Sequence, residues 1–188
     1  MSTAALSTRG LDKSFGSLVV AKNIELDLPR GARYALIGPN GAGKTTLINL
    51  ITGMLRPGQG RIFLEADEVT ALRPEERVKR GLVRTFQINT LFPHLSALEA
   101  VTLAVCERRG YAGTWWQKLP AYPDAIEEAY AILLSLRLGA SCYRPTRELA
   151  YGQQRRVEIA RAVAVAPAFL LLDEPTAGMN DVETGVIL

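Results

Sequence analysis

Residues Gly38 to Thr46 read GPNGAGKTT, and few stretches of this length leave a chain so little freedom in how it folds. The segment satisfies G-x-x-x-x-G-K-[ST], a glycine loop that opens onto a helix N-terminus. Gly38, Gly41 and Gly43 are expected to turn the backbone through positive φ, so that successive N–H groups converge on an anion. Pro39, Asn40 and Ala42 fill the variable positions of the same cradle. Lys44 supplies a full positive charge for terminal phosphates, the Thr45 hydroxyl suits Mg²⁺, and Thr46 continues the anion-facing turn. Before the loop, the apolar run Tyr34-Ala-Leu-Ile37 suits a buried strand. After it, Thr46-Leu-Ile-Asn-Leu-Ile51 suits a helix. The plainer alternative is a glycine turn between strand and helix with no ligand.

Bulk properties narrow the remaining choices. A chain of 188 residues can build one domain with a sizeable core, or one domain with a small subdomain. Hydrophobic residues at 48% and charged residues at 22% fit an ordinary folded protein, and a net charge of +3 does not by itself argue for nucleic acid. Cys106 and Cys142 are far apart and form no C-x-x-C pair, so they read as buried or idle thiols in a reducing cytosol. Met1 to Arg9 contain no apolar signal-peptide core. Ala162 to Leu172 is the longest uncharged apolar stretch; Pro167 interrupts it, and it is too short to span a bilayer. Any membrane association is therefore expected to come through a partner.

Ile24, Leu26 and Leu28 alternate with Glu25 and Asp27, the pattern of a half-buried strand ended by Pro29-Arg30-Gly31. The helix after the phosphate loop is expected to stop at Arg56-Pro57-Gly58. A short strand at Arg61 to Leu64, a short helix from Pro74 to Lys79 closed by Gly81, and an extended Gly81 to Phe86 ending in Gln87 come next. Ser96 and Glu99 form a capping box opening a helix through about Arg108. Beyond a Gly-, Pro- and Trp-rich loop, Asp124 and Glu127 repeat that signal. Ile126, Tyr130, Leu133 and Arg137 are expected on one side of this helix, which Gly139 ends. The apolar run Phe169 to Leu172 suits a central parallel strand.

Asp173 and Glu174 complete that run. A carboxylate at the tip of a strand beside a phosphate loop can hold Mg²⁺, and the next one can take a proton from an attacking water. Acidic residues often mark strand ends, so the pair gains its meaning from GPNGAGKTT upstream. Between the two lies Leu149-Ala-Tyr-Gly-Gln-Gln-Arg-Arg156, running into a helix at Val157 to Val165. With Gln87, these motifs stand in the order and approximate spacing of an ATP-binding cassette. The chain resembles, over essentially its whole length, the nucleotide-binding subunits of ABC transporters. Arg84 to Pro93 and Pro175 to Asn180 are most similar to the branched-chain amino acid importer branch.

That resemblance implies an α/β P-loop NTPase fold of the ABC type, with an antiparallel β subdomain, a helical insertion and a missing C-terminal part. One incomplete domain would cover 1–188: the β subdomain and first part of the core over 1–88, a helical subdomain with the signature over 89–165, and the Asp-Glu strand with the following loop over 166–188. It implies ATP and Mg²⁺ as ligands. Phe15 takes the place of an aromatic that stacks on adenine, against the alternative of a core phenylalanine. Gln87 would touch Mg²⁺ or the water and sense the membrane subunit. Lys44 and the loop hold the phosphates, Thr45 and Asp173 serve the metal, and Glu174 is the catalytic base. Gly152 and Gln153 would face the γ-phosphate held by a second cassette, because a helix N-terminus attracts anions. Asn180 and Asp181 would lie in the loop between cassettes.

The implied partners are that second cassette (a copy or a different chain), transmembrane permease subunits and, indirectly, a solute-binding protein. No nucleic acid is among them. The implied location is the cytoplasmic face of the plasma membrane.

Two departures qualify the expectation. The wider family has serine where this chain has Ala150, which is expected to weaken the contact with the partner's nucleotide without abolishing binding. The family also continues to another strand and a γ-phosphate histidine, whereas the only histidine here, His94, lies upstream. The chain therefore reads as truncated, with weak binding and little turnover on its own. A catalytically impaired cassette and a soluble ABC-type ATPase are the competing readings. Trp115 and Trp116 could form a docking patch or a buried pair. Arg155, Arg156 and Arg161 beside Glu158 are expected to form a solvated or salt-bridged helix face.

Overall fold

Strand alternation and local capping build most of the described elements. The structure is a computed structural model describing residues 4–85, 92–111 and 121–172. Two compact units divide between Val83 and Arg84. In the first, β1 (Ala4–Phe15), β2 (Leu18–Pro29), β3 (Gln59–Leu64) and β4 (Asp67–Glu68) form an antiparallel sheet in the order β2-β1-β3-β4. Thr8 sits between Leu26 of β2 and Ile62 of β3. The alternation read from Ile24, Leu26 and Leu28 is realised, with Glu25 and Asp27 turned to solvent. At Gly60, φ is +89° and an added Cβ would come within 2.3 Å of the Gly10 carbonyl oxygen, so only glycine lets β3 lie this close to β1.

Helix α1 (Lys44–Thr52) follows the glycine loop, and α2 (Pro74–Lys79) follows β4. Contrary to expectation, α1 ends at Gly53, in the left-handed conformation at φ 81°, rather than at Arg56-Pro57-Gly58. Glycine there admits a turn that a Cβ would strain, so the helix closes a few residues before the proline. The buried Arg77 of α2 holds that end. Its guanidinium donates to the carbonyls of Leu50 (2.8 Å), Ile51 (2.6 Å), Thr70 (2.9 Å) and Leu72 (3.2 Å).

Residues 34–37 form no strand: Tyr34 is 67% exposed and Ile37 89%. A parallel strand needs backbone partners beside it, and none of the described strands pairs with this run.

The second unit is mainly helical. Three helices, α3 (Ala97–Arg108), α4 (Pro123–Ser135) and α5 (Tyr151–Ala164), pack around Val101, Val105, Ala129, Leu133, Val157 and Ala160, with both Cys106 and Cys142 buried and unpaired among them. β5 (Leu82–Thr85), which spans the boundary, pairs with β6 (Phe169–Leu172). β6 is half-buried along its length. Ser96 caps α3 as its sequence requires: its Oγ accepts from Glu99 N–H at 3.2 Å, and Glu99 accepts from Ser96 N–H at 2.7 Å.

α4 differs from expectation. Pro123 opens it, while Asp124 is engaged by Arg109 and by Tyr111 Oη at 3.1 Å and does not cap. Its buried face is Ala125, Ala129 and Leu133; Tyr130 is exposed. Small alanines let α3 and α5 approach, which the bulkier Ile126–Tyr130 side would not allow. Of the expected solvated or salt-bridged arginine face, the salt bridge is realised at Arg155 while solvation is not, since Arg155 and Arg156 are buried. Arg155 pairs with Glu158 at 2.7 Å, and Arg156 reaches the Leu136 carbonyl at 3.2 Å.

Candidate functional site

The glycine loop presents an uncapped helix end. Gly43, at φ 83°, is the N-cap of α1 and offers no side-chain acceptor, and the first turn contains no acidic residue. The first-turn amides of a helix have no intrahelical acceptor, so they point out of this end with its positive partial charge. Lys44 at the same end is a cation at the positive pole, unfavourable by about 0.3–1 kcal/mol until an anion arrives. Its ammonium folds back to donate to the carbonyls of Gly38 and of Pro39 (2.8 Å), which keeps the charge at the mouth of the loop.

Gly41 and Gly43 both have φ 83°. Gly38 does not: it lies outside the positive-φ set, so its expected role as a left-handed turn is corrected. An added Cβ there would meet the Ala42 methyl at 3.4 Å, an ordinary van der Waals contact, so neither backbone angle nor space requires glycine at this position. Gly43 is the stricter position, because a Cβ would lie 2.9 Å from the Val20 carbonyl oxygen. Within the loop, Ala42 N–H donates to Pro39 at 3.2 Å; Thr45 is exposed, and Thr46 half-buried.

The same unit carries Phe15 at the tip of the β1–β2 hairpin, where Gly16 takes φ 59°. Phe15 is 48% exposed, which removes the alternative of a core phenylalanine. Leu18 and Val19 beside it are also exposed, and Val20 next in line touches Gly43. Exposed apolar side chains therefore gather at the hairpin tip. Sequence reasoning missed two contributors here: Val20, whose backbone makes Gly43 obligatory, and Lys13, whose ammonium stands 5.3 Å from the Phe15 ring centroid. A lysine two residues before an aromatic on a strand was the available signal for the second, since such residues share a face.

The other predicted residues lie elsewhere. In the second unit, Gly152 and Gln153 occupy the first turn of α5, whose N-cap is Ala150. Gln153 Oε1 accepts from Ala150 N–H at 3.2 Å, while its Nε2 donates to Ser141 Oγ at 3.0 Å. Its amide is therefore occupied in shaping the helix start, the structural role that its position also allows. Gly152 is buried, and its carbonyl accepts from Arg156 Nε at 3.4 Å. His94 is exposed, with Nδ1 3.2 Å from Arg147. Gln87, Asp173 and Glu174, with Trp115, Trp116, Asn180 and Asp181, fall outside the described residues.

A magnesium–triphosphate fits what is described. The helix end is uncapped and free of acid, the glycines leave a cradle that a Cβ would fill at Gly43, and Lys44 and Thr45 supply the cation and hydroxyl. No described helix is long and apolar enough to cross a membrane, and among the described residues no group of His, Cys, Asp and Glu is placed to hold a metal alone.

Residues 21–177 match the family model described as ABC transporter. The high-affinity branched-chain amino acid transport ATP-binding protein BraF of Pseudomonas aeruginosa is 39% identical over 193 aligned residues, covering 98% of this chain and 74% of its own. The corresponding LivG protein of Escherichia coli is 37% identical, with the same coverage. Among solved structures, an ATP-binding cassette of an ABC transporter in its ADP conformation superposes with a TM-score of 0.81 at 33% identity, covering 98% of this chain and 74% of that one.

Proposed function

The chain belongs to the ABC transporter family, and from that premise we propose that it binds and hydrolyses ATP as the cassette subunit of an importer for branched-chain or other amino acids. One observation carries the reading: the acid-free, uncapped N-terminus of α1, with Lys44 held at its mouth by loop carbonyls. That arrangement favours a polyanion and little else. The names of the BraF and LivG relatives support the substrate class.

In this reading the loop amides of Gly41 to Thr46 bind the phosphates and Lys44 balances their charge. Phe15 carries the adenine. Thr45, Asp173 and Gln87 would hold Mg²⁺, which when bound draws charge from the transferred phosphoryl group. Glu174 takes the proton of the attacking water. Positioning and electrostatics supply the catalysis, since phosphoryl transfer asks little covalent chemistry of the protein. The α5 N-terminus at Ala150 to Gln153 faces the nucleotide of a second cassette. Gln87 to Leu95 meets the permease at the cytoplasmic face of the membrane, with the exposed Phe92 and His94 on that surface.

The test is equilibrium dialysis of Mg-ATP with the full chain and with K44A. Losing a charge-assisted contact of about 1.5–3 kcal/mol should weaken binding about 10- to 150-fold. Equal affinity in the two proteins, or no uptake by either, would end the proposal.

A further inference from the structure

The β1–β2 hairpin is tied to both ends of the phosphate-loop helix. At the N-terminal end, the Val20 carbonyl abuts Gly43 so closely that no Cβ fits between them. Past the C-terminal end, Gly58 N–H donates to the Asp12 carbonyl at 2.8 Å, and Lys13 Nζ donates to the Arg56 carbonyl at 2.8 Å. Phe15 stands at the free tip beyond these ties. The Lys13 ammonium that reaches Arg56 also lies over the Phe15 ring, 5.3 Å from its centroid. Among the described residues no carboxylate pairs with Lys13, so its charge is directed at a carbonyl and an aromatic face. A cation in that position is attracted by the ring quadrupole and closes that face of the ring.

We propose that Lys13 is a positioning residue for the nucleobase: it fixes Phe15 at a set reach from the phosphate loop and leaves the ring's other face for stacking. The proposal rests on Phe15 being the base platform. Its consequence is a division of affinity. Binding energy from the base passes through Lys13, whereas binding energy from the phosphates passes through Lys44 and the loop amides. A residue that merely supported the fold would affect both parts together.

The experiment measures binding of Mg-ATP and of Mg-tripolyphosphate, which has no base, to the full chain and to K13M, K13R and F15A. K13M is expected to weaken ATP binding about fivefold, the size of a cation–π contact, and to leave tripolyphosphate unchanged. K13R should restore ATP binding, because a guanidinium can donate to Arg56 and stack on the ring. If F15A lowers ATP affinity and K13M does not, Lys13 has no positioning role although the platform stands. If F15A changes nothing, the platform reading fails and takes this proposal with it. Equal weakening of both ligands by K13M, or failure of K13R to restore binding, also overturns the proposal.

Discussion

Ala150 stands at the N-cap of α5 with no side-chain oxygen, so the capping pair is one-sided: Gln153 reaches back to Ala150 N–H and nothing returns the bond. Serine or aspartate there would complete the box and stabilise the helix by about 1 kcal/mol. The two replacements differ in charge, and that separates capping from nucleotide contact. In the assembled transporter, A150S should raise ATPase activity by adding a hydroxyl donor toward the partner's γ-phosphate, whereas A150D should depress it by setting a carboxylate against the same group. Thermal unfolding of the full chain should show both variants at least as stable as the parent. Equal ATPase activities in all three proteins would show that position 150 does not face a phosphate.

Arg77 joins two helices that sequence periodicity treats separately. Its buried guanidinium satisfies the last carbonyls of α1 together with those of Thr70 and Leu72, and burial pushes its pKa below the ordinary arginine value. Gly53 is part of the same joint, since a Cβ there would come within 2.9 Å of Arg77 Nε. R77M should therefore lower the unfolding free energy by about 2–4 kcal/mol in urea denaturation, several carbonyls being left without donors. R77K should fall between, with three donors in place of the planar fork. A methionine variant within about 0.5 kcal/mol of the parent would show that the clamp contributes nothing measurable.

Nothing in the sequence marked Arg77, because arginine in a polar helix reads as solvated; only tertiary contact makes it a cap. Elements whose ends are set by local chemistry were legible. Pro74 at the start of α2 and the Ser96–Glu99 pair at the start of α3 act within a few residues. Those that depend on neighbours were not. The buried face of α4 is set by how closely α3 and α5 approach Ala125 and Ala129, and Tyr34 to Ile37 needs strands at its sides.

At the scale of the whole chain, the described parts of the proposed site are unequally distributed. Phe15 and the entire phosphate loop belong to the first unit, while the core of the second is a three-helix cluster built on Val101, Val105, Leu133 and Val157. A ligand stabilises the structure that binds it in proportion to its saturation, about 2.7 kcal/mol at a hundredfold excess over Kd. Amides open in cooperative units, so that stabilisation should be read locally. Hydrogen exchange of the full chain with Mg-ATP should therefore slow at Gly41 to Thr46 and at the hairpin tip from Phe15 to Val19, and hardly change in α3 and in α5 beyond its first turn. K44A should lose the protection at the loop. Residues 34–37, exposed and without a paired strand among those described, should exchange fast before nucleotide is added. Protection confined to the helical cluster, or spread evenly over both units, would mean that nucleotide is not held where the uncapped α1 terminus and the hairpin tip place it.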